Sequence, residues 1–201
     1  TGTAFFEQLA RNMAEALGAQ AACIGRLIKG LPPGAPTQAE SLAVVIDGEI
    51  RPNIVYTLEQ TPSHRLLTQR QYLVTEQVQQ RYPDAPIVQA ISAQGYAGMQ
   101  LQSSQGEPLG MLFVLFRQPL SRPEFALSTL QIFAARSAAE LERQLADAHI
   151  RRQASLLDSA QDAILVRDLQ PRVLFWNKGA ERAYGWTQEA ALGRHIPQLI
   201  Y

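Results

Sequence analysis

The chain has 201 residues, 46% of them hydrophobic and 18% charged, which suits a globular protein of one or two domains with a real core. Lys plus Arg (18) equals Asp plus Glu (18), so the net charge is zero, which argues against nucleic acid as a partner because phosphate binding needs a basic surface. Cys23 is the single cysteine, so one chain can build neither a disulfide framework nor a cysteine zinc cluster. The longest apolar runs, 42–46 and 111–116, fall far short of the roughly 20 residues a membrane helix needs, and no signal peptide is visible at Thr1. A reducing, cytoplasmic setting is expected, as part of a longer protein that could itself be membrane-anchored.

Residues 4–17 place Phe5, Phe6, Leu9, Met13, Ala16 and Leu17 at helical spacing, with Gly18 as the stop. Residues 21–28 read as a strand, and 30–36 as a loop rich in proline and glycine. Two further strands, 41–46 and 50–58, flank Asp47-Gly48, the dipeptide a tight hairpin favours because both turn residues must accept positive φ. Thr61-Pro62-Ser63 predicts a short helix with Thr61 as cap, 72–78 a strand, and 83–94 a second short helix. Residues 97–103 and 109–116 form the clearest hairpin; its second strand is apolar on both faces and should be central, and Gly110 marks a bulge or a close backbone approach.

Ser121-Arg122-Pro123-Glu124 has the capping-box pattern, and the helix it opens runs to about residue 160 without glycine or proline. Leu127, Leu130, Ala134, Ala138, Leu141, Leu145 and Ala148 repeat on it at three-four spacing, a coiled-coil-like stripe, with Asp147 and Arg151 as an outer i,i+4 pair. A helix that outruns its domain needs another partner for its later turns, and a parallel homodimer is the simplest. Beyond it, an alternating strand ends at Asn177 and a short helix stops at Gly185.

The segments Tyr56-Thr57-Leu58-Glu59-Gln60-Thr61-Pro62, Tyr82-Pro83-Asp84-Ala85-Pro86, Gly95-Tyr96-Ala97-Gly98-Met99-Gln100-Leu101 and 106–112, followed by 133–143, resemble the GAF domain of bacterial signalling proteins in order and spacing. Residues 162–168, 173–176 and above all 177–186 resemble the first half of a PAS domain. The resemblance implies an α+β chain: a GAF-like antiparallel sheet flanked by helices over 1–145, a signalling helix over 124–160, and an incomplete PAS segment over 153–201 that lacks a whole cofactor pocket. It further implies a sensory module of a sensor histidine kinase in a two-component system; a GGDEF diguanylate cyclase is the alternative, the tract 184–194 resembling PAS segments of both, and a ligand-free dimerisation spacer is another.

Within such a GAF pocket Tyr56, His64, Tyr96 and Met99 are the candidate ligand contacts, each set against a plainer reading as core or surface. His64, His149 and His195 are isolated, so no metal site is expected, and no cofactor is required. Cys23 sits among apolar residues as a buried thiol, which disfavours bilin attachment or cysteine-dependent methionine sulfoxide reduction. The GAF segment lacks the Asn-Lys-Phe-Asp-Glu motif of cyclic-nucleotide-binding relatives, and Asn177 reads as a helix cap. Trp176 and Trp186 read as core residues, and no phosphate loop, nucleophile elbow or carboxylate pair emerges, so these residues carry no catalysis of their own.

Overall fold

A computed structural model describes residues 2–30, 32, 34–35, 37–159 and 162–200. The chain divides into two compact units, 1–144 and 145–201.

The first unit is built on one antiparallel sheet. Its strands are β1 (Ala21–Leu27), β2 (Gln38–Ile46), β3 (Glu49–Arg51), β4 (Val55–Thr57), β5 (Gln71–Val74), β6 (Gly95–Gln102) and β7 (Pro108–Phe116). The order is β3-β2-β1-β7-β6-β5, with β4 pairing beside β3 on the same edge of β2. Strand alternation sends Ala22, Ile24, Leu112, Val114, Ala97 and Leu101 to one face, where helix α1 (Gly2–Leu17) supplies Phe6, Leu9, Ala10 and Met13. The first turns of helix α4 (Pro123–Ser159) add Ala126, Leu130, Ala134, Ala138 and Leu141 to that core. The odd residues Cys23, Phe113 and Leu115 point to the other face, under a 3₁₀ helix (Pro62–Leu67) and the short helices α2 (Val78–Arg81) and α3 (Pro86–Ala90). Both faces of β1 and β7 are therefore covered, which is why their sequences are continuously apolar.

The Asp47-Gly48 hairpin forms with φ of 51° and 80°, the doubly positive turn its sequence demands. Gly110 marks a close approach: a Cβ there would run into the Gly25 carbonyl on β1.

Several local expectations are corrected. Extended structure at 72–78 stops at Val74; Gln77 takes a left-handed φ of 59°, and Val78 opens α2. The helix placed at 83–94 is confined to Pro86–Ala90, because Ser92 turns left-handed at φ 54°. Thr61 does not cap with its side chain; its hydroxyl donates backwards to the Leu58 carbonyl. The capping box at 121–124 is displaced: the first α4 bond runs from Ala126 N–H to the Arg122 carbonyl, placing Arg122 at the helix start with Pro123 after it. The Asp147–Arg151 pair involves a side chain outside the described residues.

In the second unit, β8 (Leu165–Arg167) and β9 (Val173–Trp176) form an antiparallel pair followed by α5 (Lys178–Tyr184), α6 (Gln188–Ala191) and α7 (Pro197–Ile200). Val173, Trp176, Ala180, Ala191 and Leu199 make its core. Asn177 caps α5, its Oδ1 accepting the Ala180 N–H at 2.8 Å, and Gly185 ends the helix at φ 76°. The same Oδ1 accepts the Ile164 N–H at 2.8 Å while Nδ2 donates to the Asp162 carbonyl at 3.1 Å, so one buried side chain fastens the lead-in to β8 onto the start of α5. Both indoles donate to backbone: Trp176 to the Trp186 carbonyl and Trp186 to that of Leu199.

Candidate functional site: a tyrosine-lined cavity

On the sheet face away from α1 and α4, a cavity of about 440 Å³ lies between the sheet, β4, the 3₁₀ helix and α3. Cys23, Phe113 and Tyr96 contribute from β1, β7 and β6, Tyr56 from β4, Ser63 from the 3₁₀ helix and Val88 from α3. The volume lies in the lower part of the range of roughly 300–1,000 Å³ typical of small-molecule sites.

Two glycines make room for its two tyrosines. The Tyr96 ring leans along β6 over Gly98, where a Cβ would collide with the phenol. The Tyr56 hydroxyl lies over Gly25, where a Cβ would stand 3.2 Å from it. Tyr96 is stacked on Phe113, with ring centres 5.6 Å apart and planes 26° off parallel, and its hydroxyl pairs with Ser63 Oγ at 3.0 Å. That hydroxyl is satisfied; the Tyr56 hydroxyl is not. It is buried beside the Cys23 thiol and makes no hydrogen bond of ordinary geometry. Burial raises the Tyr56 phenol well above its usual range, with the neighbouring Cys23 and Tyr96 adding to the effect. Burial likewise raises the Tyr96 phenol and pushes the Cys23 thiol up to about 12, so all three groups are protonated at neutral pH and the thiol is not a nucleophile.

Glu59 brings a charge to this wall. Its Oε1 accepts the Thr37 N–H at 2.7 Å, which holds the carboxyl below its usual range, with nearby His64 also contributing. Its Oε2 is shielded from solvent and has no hydrogen-bond partner. Buried polar atoms are normally paired, so the Tyr56 hydroxyl and Glu59 Oε2, both on residues of this cavity, are exceptions among the described residues. A larger, more open cleft of about 560 Å³ lies between the end of α1 and the start of α4. Its arginines are already engaged: Arg117 with Asp47 at 2.7 Å, and Arg122 over the Phe125 ring at 4.3 Å.

Of the four residues singled out from sequence, Tyr56 and Tyr96 line the cavity together. His64 is exposed on the outside of the 3₁₀ helix and does not line it. Met99 stands three positions from Tyr96 on the same strand, so strand alternation sends it to the opposite face, into the core beneath α1 and α4, which is the plainer of the two readings its sequence allowed. Cys23, Glu59, Ser63 and Phe113 were not anticipated as lining residues. The parity of β1 and β7 carried the signal for Cys23 and Phe113; nothing local marks Glu59, an acidic residue that by default reads as solvated.

The helix stripe also divides. Leu130, Ala134, Ala138 and Leu141 are buried in the first unit's own core and Leu127 packs half-buried against it, whereas Leu145 and Ala148 are exposed. A second set, Phe125, Ile132, Ala139 and Ala146, recurs every seventh residue and is exposed throughout.

Among the described residues, no group of three or more His, Cys, Asp or Glu side chains is placed to hold a metal ion, and no helix is long and apolar enough to cross a membrane.

Comparison with known proteins agrees with the two-unit division. Residues 151–201 match the family model of the PAS fold. No curated protein matches the sequence. Among solved structures, the GAF domain of PixJ from Thermosynechococcus elongatus, in its blue-light absorbing form, superposes with a TM-score of 0.55 at 12% identity, covering 77% of this chain and 90% of that one. A methyl-accepting chemotaxis protein fragment gives 0.52 at 16% identity, covering 71% of this chain and 88% of that one. The GAF domain region of a protein from Geobacter sulfurreducens PCA gives 0.50 at 16% identity, covering 70% and 93%. The chain therefore joins a domain of the GAF fold to a segment of the PAS fold through the helix α4.

Proposed function

We propose that this chain is the sensory part of a bacterial signal-transduction protein. The Tyr56–Tyr96 cavity takes a small ligand, and α4 passes the consequence towards the PAS segment and a downstream output domain. The observation that carries this reading is the cavity itself: about 440 Å³, with a protonated tyrosine hydroxyl and a carboxylate oxygen left without partners inside a fold that occurs in chemotaxis and light-absorbing proteins.

α4 is the transmitting element in this proposal, acting within a parallel homodimer. Its first turns are part of the domain's core, so a change in the sheet shifts the helix, and two packing arrangements of similar energy suffice for a switch. The residues offered to a second copy are the heptad-spaced Phe125, Ile132, Ala139 and Ala146; Leu145 and Ala148 continue the other, core-facing stripe of the same helix. Sedimentation equilibrium tests the association: a dimer weakened by Ile132→Glu supports it, and a monomer throughout the micromolar range contradicts it.

A sensor histidine kinase is the proposed parent and a diguanylate cyclase the alternative; the tract 184–194 resembles PAS segments of both. The residues described here do no chemistry in either case. A phosphoacceptor helix with an ATP-binding domain encoded downstream would support the kinase, and a GGDEF domain would replace it.

A further inference from the structure

Resting on the reading of the cavity as a ligand site, we propose that its ligand is a small organic cation, an amine or ammonium group carried on an apolar or aromatic body. Among the described residues the only charged side chains lining the cavity are Glu59 and Asp84; no Lys, Arg or His lines it. An anion there would face two carboxylates and no countercharge, whereas a cation completes what the wall lacks. Glu59 Oε2 is shielded from water without a donor, and its carboxyl is held ionised by the Thr37 N–H, so a charged acceptor is in place at neutral pH.

The remaining walls suit the same ligand. Three aromatic rings, Tyr56, Tyr96 and Phe113, are among the lining residues, the kind of wall that attracts an ammonium group, and Val44 and Val88 add apolar surface for its body. The Tyr56 hydroxyl stays protonated beside the Cys23 thiol, a weak hydrogen-bonding neighbour, and is placed to donate to or accept from a hydroxyl or carbonyl on that body. His64 contributes positive charge near Glu59 when protonated, but it is exposed to water, where such charge is screened.

The test is ligand-observed NMR on the full chain with matched probes: phenylethyl, indolylethyl and hexyl bodies, each as the amine, the alcohol and the carboxylate. In at least one body series the amine is expected to bind about tenfold or more tighter than the carboxylate, the advantage of a charge-assisted hydrogen bond. Glu59→Gln, which keeps an acceptor for Thr37, should collapse that ratio with unchanged circular dichroism, and Asp84→Asn should reduce it. Carboxylates binding as tightly as amines, or a ratio indifferent to Glu59→Gln, would overturn the cation assignment and leave the cavity reading standing. Binding by none of the nine probes would overturn both.

Discussion

Replacing Asn177 by alanine should strongly destabilise the second unit while sparing the first. The side chain is fully buried and serves three backbone groups: the N–H of Ala180, the N–H of Ile164 and the carbonyl of Asp162. Loss of the helix cap costs about 1 kcal/mol. Leaving the Ile164 N–H and the Asp162 carbonyl without their partner adds about 1 kcal/mol each, more where water cannot enter. The sum, about 3 kcal/mol, is a large part of the roughly 3–8 kcal/mol that a unit of this size has in total. The readout is clean because both tryptophans, Trp176 and Trp186, belong to this unit, so urea unfolding followed by their fluorescence reports it alone. Asn177→Asp keeps the acceptor for both N–H groups and loses the donation to Asp162, so it should cost less than the alanine, about 1–2 kcal/mol. A fluorescence midpoint for Asn177→Ala that corresponds to less than about 0.5 kcal/mol of lost stability would refute the reasoning.

Three further predictions concern the first unit. Leu130→Ala should cost about 2–5 kcal/mol in thermal unfolding, because Leu130 is fully buried between α4 and the sheet, whereas Leu145→Ala, half-exposed, should leave that unit's stability within about 0.5 kcal/mol; equal effects would contradict the division of the helix stripe. Gly98→Ala should shift the Tyr96 ring and loosen its stacking on Phe113, lowering stability by about 1–3 kcal/mol; a neutral result by calorimetry would show that the cavity wall yields freely. Cys23 sets an alkaline limit. Its folded pKa is raised from 9.0 to about 12, so its contribution is intact below the unfolded value and is lost as pH rises towards the folded one, at up to about 1.4 kcal/mol per pH unit between those values. Urea titrations between pH 8 and 10.5 should show that slope flattened in Cys23→Ala, and a slope unchanged by the substitution would contradict the burial argument.

Much of the fold was legible because local signals and burial agree. The Asp47-Gly48 turn, the two-faced apolar strand at 109–116 and the Asn177 cap each require one backbone geometry, and each has it. Elements a few residues long were misjudged where one left-handed residue redirects the chain, as Gln77 and Ser92 do; neither glutamine nor serine advertises a positive φ. The cavity was half legible. Tyr56 and Tyr96 stood out as aromatics in strands, and the parity of β6 already separated Tyr96 from Met99. Glu59 was not legible, because its significance lies in an oxygen shielded by segments distant in sequence. The helix stripe shows a further limit: three-four spacing identifies an apolar face but not its partner, and most of that face packs on the domain's own sheet.

The most direct test of the sensory reading is native mass spectrometry of the purified chain beside a denatured control. The account predicts a dimer that carries a reproducible small added mass, released on denaturation and reduced by Glu59→Gln. A bare monomer at every micromolar concentration would contradict it.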